Sequence, residues 1–220
     1  MRFISRSVFA ALVAVFVMSA VGAASASAAL PNFNTGLASG NVKFTGTGTN
    51  VYLIGGFGEY KCNKASVTGE VEHGEPRGNS KTLKNVVIKF SQCGSLELLC
   101  EREWKTKPLT GTLGYLSKEF KKVGVLLKPS SGPVAECKGF GSNGNIIGSL
   151  VMEISPSNKS VTEYSLASSD SGGVQSPQKL EGETENHRLE WLREGAKEAQ
   201  PLVVAMHLNL TLESKVEIEA

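Results

Sequence analysis

Short runs rich in Val, Ile, Leu, Thr, Tyr and Phe recur along this chain, cut about every ten residues by Gly, Asn, Ser and Pro. That rhythm leaves little room for helices. It predicts an all-β domain of antiparallel strands, arranged as a β-sandwich or a barrel. A parallel α/β sheet would need amphipathic helices of about 10–15 residues between its strands, and they are missing. The runs at 42–45 and 51–55 read as two strands broken by Gly46-Thr47-Gly48-Thr49-Asn50. Residues 65–72 alternate, with Val67, Gly69 and Val71 on one face and Ser66, Thr68, Glu70 and Glu72 on the other. Val86, Ile88 and Phe90 share a face of a strand at 85–93. The runs 110–116 and 123–128 read as a pair, and 145–154 with 160–166 as a hairpin. Residues 201–213 alternate and then slip phase. The stretch 187–199 mixes helical and strand spacing; Gly195 disfavours a helix by about 1 kcal/mol relative to Ala, and a strand ending at Glu194-Gly195 is expected. The Ser- and Gly-rich stretch 167–177 reads as a loop, and Gly55-Gly56-Phe57-Gly58 as a bend between strands.

The N-terminus reads as a removable export signal over residues 1–28. Arg2 and Arg6 precede an apolar run, and small residues close it at Ala26-Ser27-Ala28. The run is about 14 residues long, short of the ~20 that a spanning helix needs. Cleavage after Ala28 leaves roughly 190 residues, 29–220, expected to form a single exported domain. The chain carries 23 basic and 21 acidic residues, and two of the basic ones are Arg2 and Arg6. The exported part is therefore balanced, which argues against nucleic acid and gives no overall case for an anionic membrane. No membrane span is expected in it. The expected location is secreted or at the cell envelope.

Four cysteines, Cys62, Cys93, Cys100 and Cys137, all lie beyond the signal. An even number in an oxidising compartment predicts two disulfides. Three pairings are possible, and the sequence reading favours Cys93–Cys100 as a local clip with Cys62–Cys137 as a long bridge. A zinc site is disfavoured because no C-x2-C pair is present and no His lies close by in sequence.

No motif here names an activity. Asp170 is the only Asp, so Asp-rich calcium loops are absent. No G-x-S-x-G elbow occurs, and Gly141-Ser142-Asn143-Gly144 reads as a turn. His73, His187 and His207 show no spacing that would place two imidazoles on one metal. Glu70/Glu72, Glu101/Glu103 and Glu181/Glu183/Glu185 have the two-residue spacing that puts carboxylates about 7 Å apart on one strand face. Solvated strand faces explain them more simply. No catalytic residue, metal site or cofactor is assigned. Trp104 and Trp191 stand among polar neighbours, where an indole can stack on a sugar or a partner, and they are the candidate binding residues.

The signal, Tyr60-Lys61-Cys62, Phe90-Ser91-Gln92-Cys93, the string Leu109-Thr110-Gly111-Thr112-Leu113-Gly114-Tyr115, and Val123-Gly124-Val125-Leu126-Leu127-Lys128-Pro129 together resemble exported β-rich bacterial proteins. The resemblance is structural and implies no activity. The expected function is a non-catalytic binding or structural role, with an envelope or extracellular glycan or protein as partner. Two alternatives stay open. One is a secreted hydrolase with a Glu-based site. The other is a β-barrel carrier of a small apolar ligand.

Overall fold

A computed structural model describes residues 30–56, 58–74, 78–94, 100, 102–138 and 143–220. The export signal expected at 1–28 lies outside the described residues, as do Phe57, Glu101, Gly141 and Ser142. The described chain is all β. Its strands are β1 (Asn32–Asn34), β2 (Val42–Gly55), β3 (Gly58–Val71), β4 (Asn79–Ser80), β5 (Thr82–Gly94), β6 (Glu103–Lys105), β7 (Leu109–Ser117), β8 (Lys122–Pro129), β9 (Ala135–Lys138), β10 (Asn143–Gly148), β11 (Leu150–Ser155), β12 (Ser160–Asp170), β13 (Gln175–Ser176), β14 (Leu189–Arg193) and β15 (Gln200–Glu219).

Eight of them close a ring. Antiparallel pairing runs β2–β3–β5–β7–β8–β11–β12–β15 and returns to β2. Closure removes strand edges from this part of the molecule. A second arch grows from the same four long strands. β5 pairs with β7 through residues 82–86 and with β6 through residues 89–91. β15 likewise pairs with β14 through residues 200–202 and with β12 through residues 206–217. The arch runs β6–β5–β3–β2–β15–β14–β10–β9. Among the described residues no strand ladder joins β6 to β9, so this second arch is open.

Alternation supplies the core. Along β3, Cys62, Ala65, Val67 and Val71 point inward, and Val86, Ile88, Phe90 and Cys93 do so along β5. One apolar cluster runs through both ring and arch. The interior void between them is only about 20 Å³, lined by Ile88, Phe90, Trp104 and Met206 among others. That is little more than one water occupies, so the interior is a filled core rather than a ligand lumen. A smaller cluster of Leu126, Val151 and Leu180 lies apart from it, with Leu116 against it.

Several sequence expectations hold and several do not. β14 ends at Arg193, just before Glu194-Gly195, and Gly195 takes a positive φ. β7 with β8, and β11 with β12, are antiparallel pairs as expected. Residues 42–55 are one strand rather than two. Its glycines mark close packing: a Cβ on Gly46 would come within 2.6 Å of the Leu210 side chain. The expected strand at 145–154 is two strands, because Gly148 turns the chain at φ +98° and Ser149 carries it from arch to ring. The expected loop at 167–177 is largely strand: β12 continues to Asp170, and β13 pairs back onto it.

Candidate binding groove

The open arch creates the groove. Chain direction alternates around the arch, so β6 and β9 face each other as free edges. Thr106 donates its backbone N–H to the Ile88 carbonyl at 2.9 Å, while Lys107 donates to the Val134 carbonyl at 2.8 Å. Backbone direction alternates along a strand. The Glu103 and Lys105 amides therefore face β9, and Trp104 points its side chain into the core. Two links tie the opening at its ends. One is the Lys107–Val134 hydrogen bond. The other is a disulfide from Cys100 to Cys137 on β9.

The opening holds a groove of about 440 Å³, with Glu103, Lys105 and Lys107 on one wall, Glu136 and Lys138 on the other, and Trp104 beneath. Charges are arranged across it. Lys107 Nζ reaches Glu136 at 2.5 Å and spans the groove. That hydrogen bond, with the Lys107 charge and a smaller contribution from Lys138, holds the Glu136 carboxyl below its ordinary range. Glu103 is engaged by Lys89 at 3.0 Å. Lys105 and Lys138, on opposite walls, have no ion-pair partner among the described residues. A further shallow groove of about 600 Å³ continues past Glu136 and Lys138 to Asn145, Arg193 and Glu194.

Both tryptophans named from sequence are buried. Trp104 is 9% exposed and stacks on Phe90, with ring centroids 4.1 Å apart. Its indole Nε1 is buried with no acceptor among the described residues. Trp191 is 4% exposed, and its ring lies against Gly144. Of the two, Trp104 lines the groove.

The disulfide pairing differs from the expected one. Cys62 bonds Cys93, and Cys100 bonds Cys137, in place of Cys62–Cys137 and Cys93–Cys100. Cys62 and Cys93 are direct partners in the β3–β5 register, so the first bridge joins neighbouring strands. Cys100 is also fixed by Tyr60, whose hydroxyl donates to its carbonyl at 2.9 Å.

Several carboxylates of these pairs have structural partners. Glu70 accepts from the Asn41 amide at 2.9 Å, and Glu72 pairs with Lys84. Glu181 accepts the Lys118 amide N–H, and Glu181, Glu183 and Glu185 lie outside any strand. His207 is exposed and contacts Asn209 at 3.2 Å. One polar chain was not legible from sequence. Ser149 Oγ lies 2.9 Å from His187 Nδ1, and His187 Nε2 lies 3.1 Å from Glu183 Oε2. The same carboxylate accepts the Leu180 N–H at 2.8 Å, and the Ser149 N–H is held by the Arg188 carbonyl. The chain thus pins the strand crossover at Ser149 to the segment before β14. Ser149 stands far from the other two in sequence, so no local spacing announces it. No group of three or more His, Cys, Asp or Glu is placed to hold a metal among the described residues.

Comparison with known proteins returns no matching family model, no matching curated sequence and no matching solved structure.

Proposed function

We propose that this protein is an exported, disulfide-linked β domain with a non-catalytic binding role outside the cell or at its envelope, and that it binds at the groove between β6 and β9. The observation that carries the reading is the pair of strand edges facing each other across an opening, with Lys105 and Lys138 on opposite walls and outside any ion pair among the described residues. Two disulfides suit an oxidising compartment. The free lysines favour a partner that brings carboxylates, on an extracellular protein segment or an acidic glycan. Stacking of a sugar on Trp104 is disfavoured, because the ring is almost wholly buried and Phe90 covers one of its faces. The test has two parts. N-terminal sequencing of exported material should begin at or near Ala29. Amide NMR signals of residues 103–107 and 135–138 should then move on titration with acidic peptides or uronic-acid oligosaccharides, and Lys105→Glu with Lys138→Glu should abolish the change. Binding that leaves those signals unmoved would refute the groove.

A hydrolytic reading has one observation in its favour, the Ser149–His187–Glu183 chain. Ester turnover that disappears in Ser149→Ala, with the fold intact, would establish it. The binding role is preferred because Glu183 and the Ser149 amide already hold backbone groups in place.

A further inference from the structure

Phe120 is the most exposed large apolar side chain among the described residues, at 69%. It stands at the tip of the β7–β8 hairpin, between Lys118 and Glu119 on one side and Lys121 and Lys122 on the other. The tip is held in shape. Lys121 N–H donates to the Lys118 carbonyl at 3.2 Å, and Lys118 N–H donates to Glu181 at 2.5 Å. Ser157, in the β11–β12 turn, donates to the Lys121 carbonyl at 3.2 Å. That bond brings a second hairpin, with the exposed Lys159, beside the first. Lys118, Lys121 and Lys122 thus flank Phe120 in one hairpin and Lys159 stands in the turn beside it, against Glu119 and Glu181. Glu217 and Glu219 lie on β15 alongside the Lys159 turn, Glu217 as the register partner of Ser160, and Glu219 is engaged by Asn34 at 2.8 Å.

The chain enters the domain at this same end. Asn32 pairs with Glu219 in the β1–β15 register, and Ala220 N–H donates to Asn158 of the β11–β12 turn at 2.9 Å. Leu30, itself 47% exposed, precedes this contact by two residues.

We propose that this end of the barrel docks on an anionic lipid surface, with Phe120 inserted at the headgroup boundary and Lys118, Lys121, Lys122 and Lys159 on the lipid phosphates. An exposed ring flanked in its hairpin by lysines fits a lipid interface, where aromatic anchors and basic side chains act together. A protein interface would need a broader apolar patch. The near-zero net charge of the exported chain hides this local arrangement. β7 runs about 30 Å from the tip to the groove end. Docking by the tip would leave the groove facing away from the membrane.

The test is co-sedimentation of the exported form with phosphatidylcholine vesicles, with and without phosphatidylglycerol, at low salt. Partition is expected with the anionic vesicles and not with the neutral ones, weakening as salt is added. Lys121→Glu and Lys122→Glu should each lower it by roughly fivefold or more. Phe120→Ser should lower it too, and Phe120→Trp should give blue-shifted emission on adding anionic vesicles. All three positions are exposed, so folding is not at issue. No partition onto anionic vesicles, equal partition onto both lipids, or partition that survives Phe120→Ser unchanged would overturn the proposal.

Discussion

Gln175 satisfies both backbone polar groups of Val204 with its own side-chain amide. Its Nε2 donates to the Val204 carbonyl at 3.0 Å, and Val204 N–H donates to its Oε1 at 2.8 Å. Val204 lies where β15 changes neighbours from β14 to β12, so no strand is there to complete its ladder. A buried side chain, 3% exposed, takes the place of a strand. Ser168 adds its hydroxyl to the same carbonyl at 2.7 Å. An unsatisfied buried amide costs about 1–3 kcal/mol. Gln175→Leu should therefore destabilise the domain by about 2–4 kcal/mol in chemical denaturation, and Gln175→Glu should cost more as pH rises and the carboxylate ionises. A loss below half a kilocalorie in Gln175→Leu would show that the bridge is dispensable.

Trp104 separates packing from hydrogen bonding. Its ring stacks on Phe90 and floors the groove, yet its indole N–H is buried without an acceptor among the described residues. Trp104→Phe removes the orphan donor and keeps an aromatic ring, and it is expected to cost under about 1.5 kcal/mol. Trp104→Ala should cost about 3–5 kcal/mol. Equal losses in the two variants, measured by thermal or urea unfolding, would mean that the N–H has a partner after all.

Much of this fold was readable in the residues, and what was missed has physical causes. Alternation of Val67, Gly69 and Val71 against Ser66, Thr68 and Glu70 is visible because one face of β3 is buried and the other wet. Gly46 and Gly48 resemble a turn, but in the fold they admit the Leu210 and Leu208 side chains against the backbone. Cysteine pairing depends on which strands are neighbours, and counting residues between cysteines carries no such information. The groove is harder still. Its walls are strands of three and four residues, too short to give a period. Its existence depends on β5 and β15 each serving two partners along their length. The Trp residues were singled out for polar neighbours in sequence, yet a strand alternates faces, so those neighbours point outward while the indoles point in.

Glu136 should titrate below the ordinary carboxylate range, because Lys107 donates to it and stands beside it as a positive charge. A folded-state value below the unfolded one means that the contact stabilises above the ordinary range and is lost as pH falls through the lowered value. The pair is solvent-exposed, so the effect on overall stability should be small. Carboxyl carbon NMR should show the Glu136 midpoint below the ordinary carboxylate range on acidification. Lys107→Ala should return it towards 4.5. An unchanged Glu136 in that variant would show that Lys107 is not the cause.

Peptide mapping of the non-reduced protein should recover Cys62–Cys93 and Cys100–Cys137. The bridged residues lie 31 and 37 positions apart, for which loop-closure entropy gives about 4 kcal/mol each. The two bridges should differ in what their loss does. Removing Cys62–Cys93 leaves β3 and β5 paired on both sides of the bond. Removing Cys100–Cys137 frees one end of the groove, so Cys100→Ser with Cys137→Ser should weaken partner binding as well as stability. Recovery of a Cys62–Cys137 peptide would contradict the strand register itself.

Alkaline pH should unfold the domain through two tyrosines. Tyr60 and Tyr164 are buried, and burial pushes both phenols up to about 12. Glu217 adds to the effect at Tyr164 by repelling the phenolate. Each hydroxyl also donates to a backbone carbonyl, Tyr60 to Cys100 at 2.9 Å and Tyr164 to Val216 at 2.5 Å. A phenolate has no proton to donate, so ionisation would break both contacts. Both folded values lie above the unfolded value of 10.0. The stability they contribute is therefore complete below pH 10 and is lost as pH rises towards 12. Ultraviolet difference titration should show Tyr60 and Tyr164 ionising only as the fold opens. Tyr164→Phe should remove part of that alkaline loss while costing about 1–2 kcal/mol at neutral pH, since the Val216 carbonyl loses a donor. Tyr60 and Tyr164 ionising near 10 in the folded protein would show that neither ring is shielded.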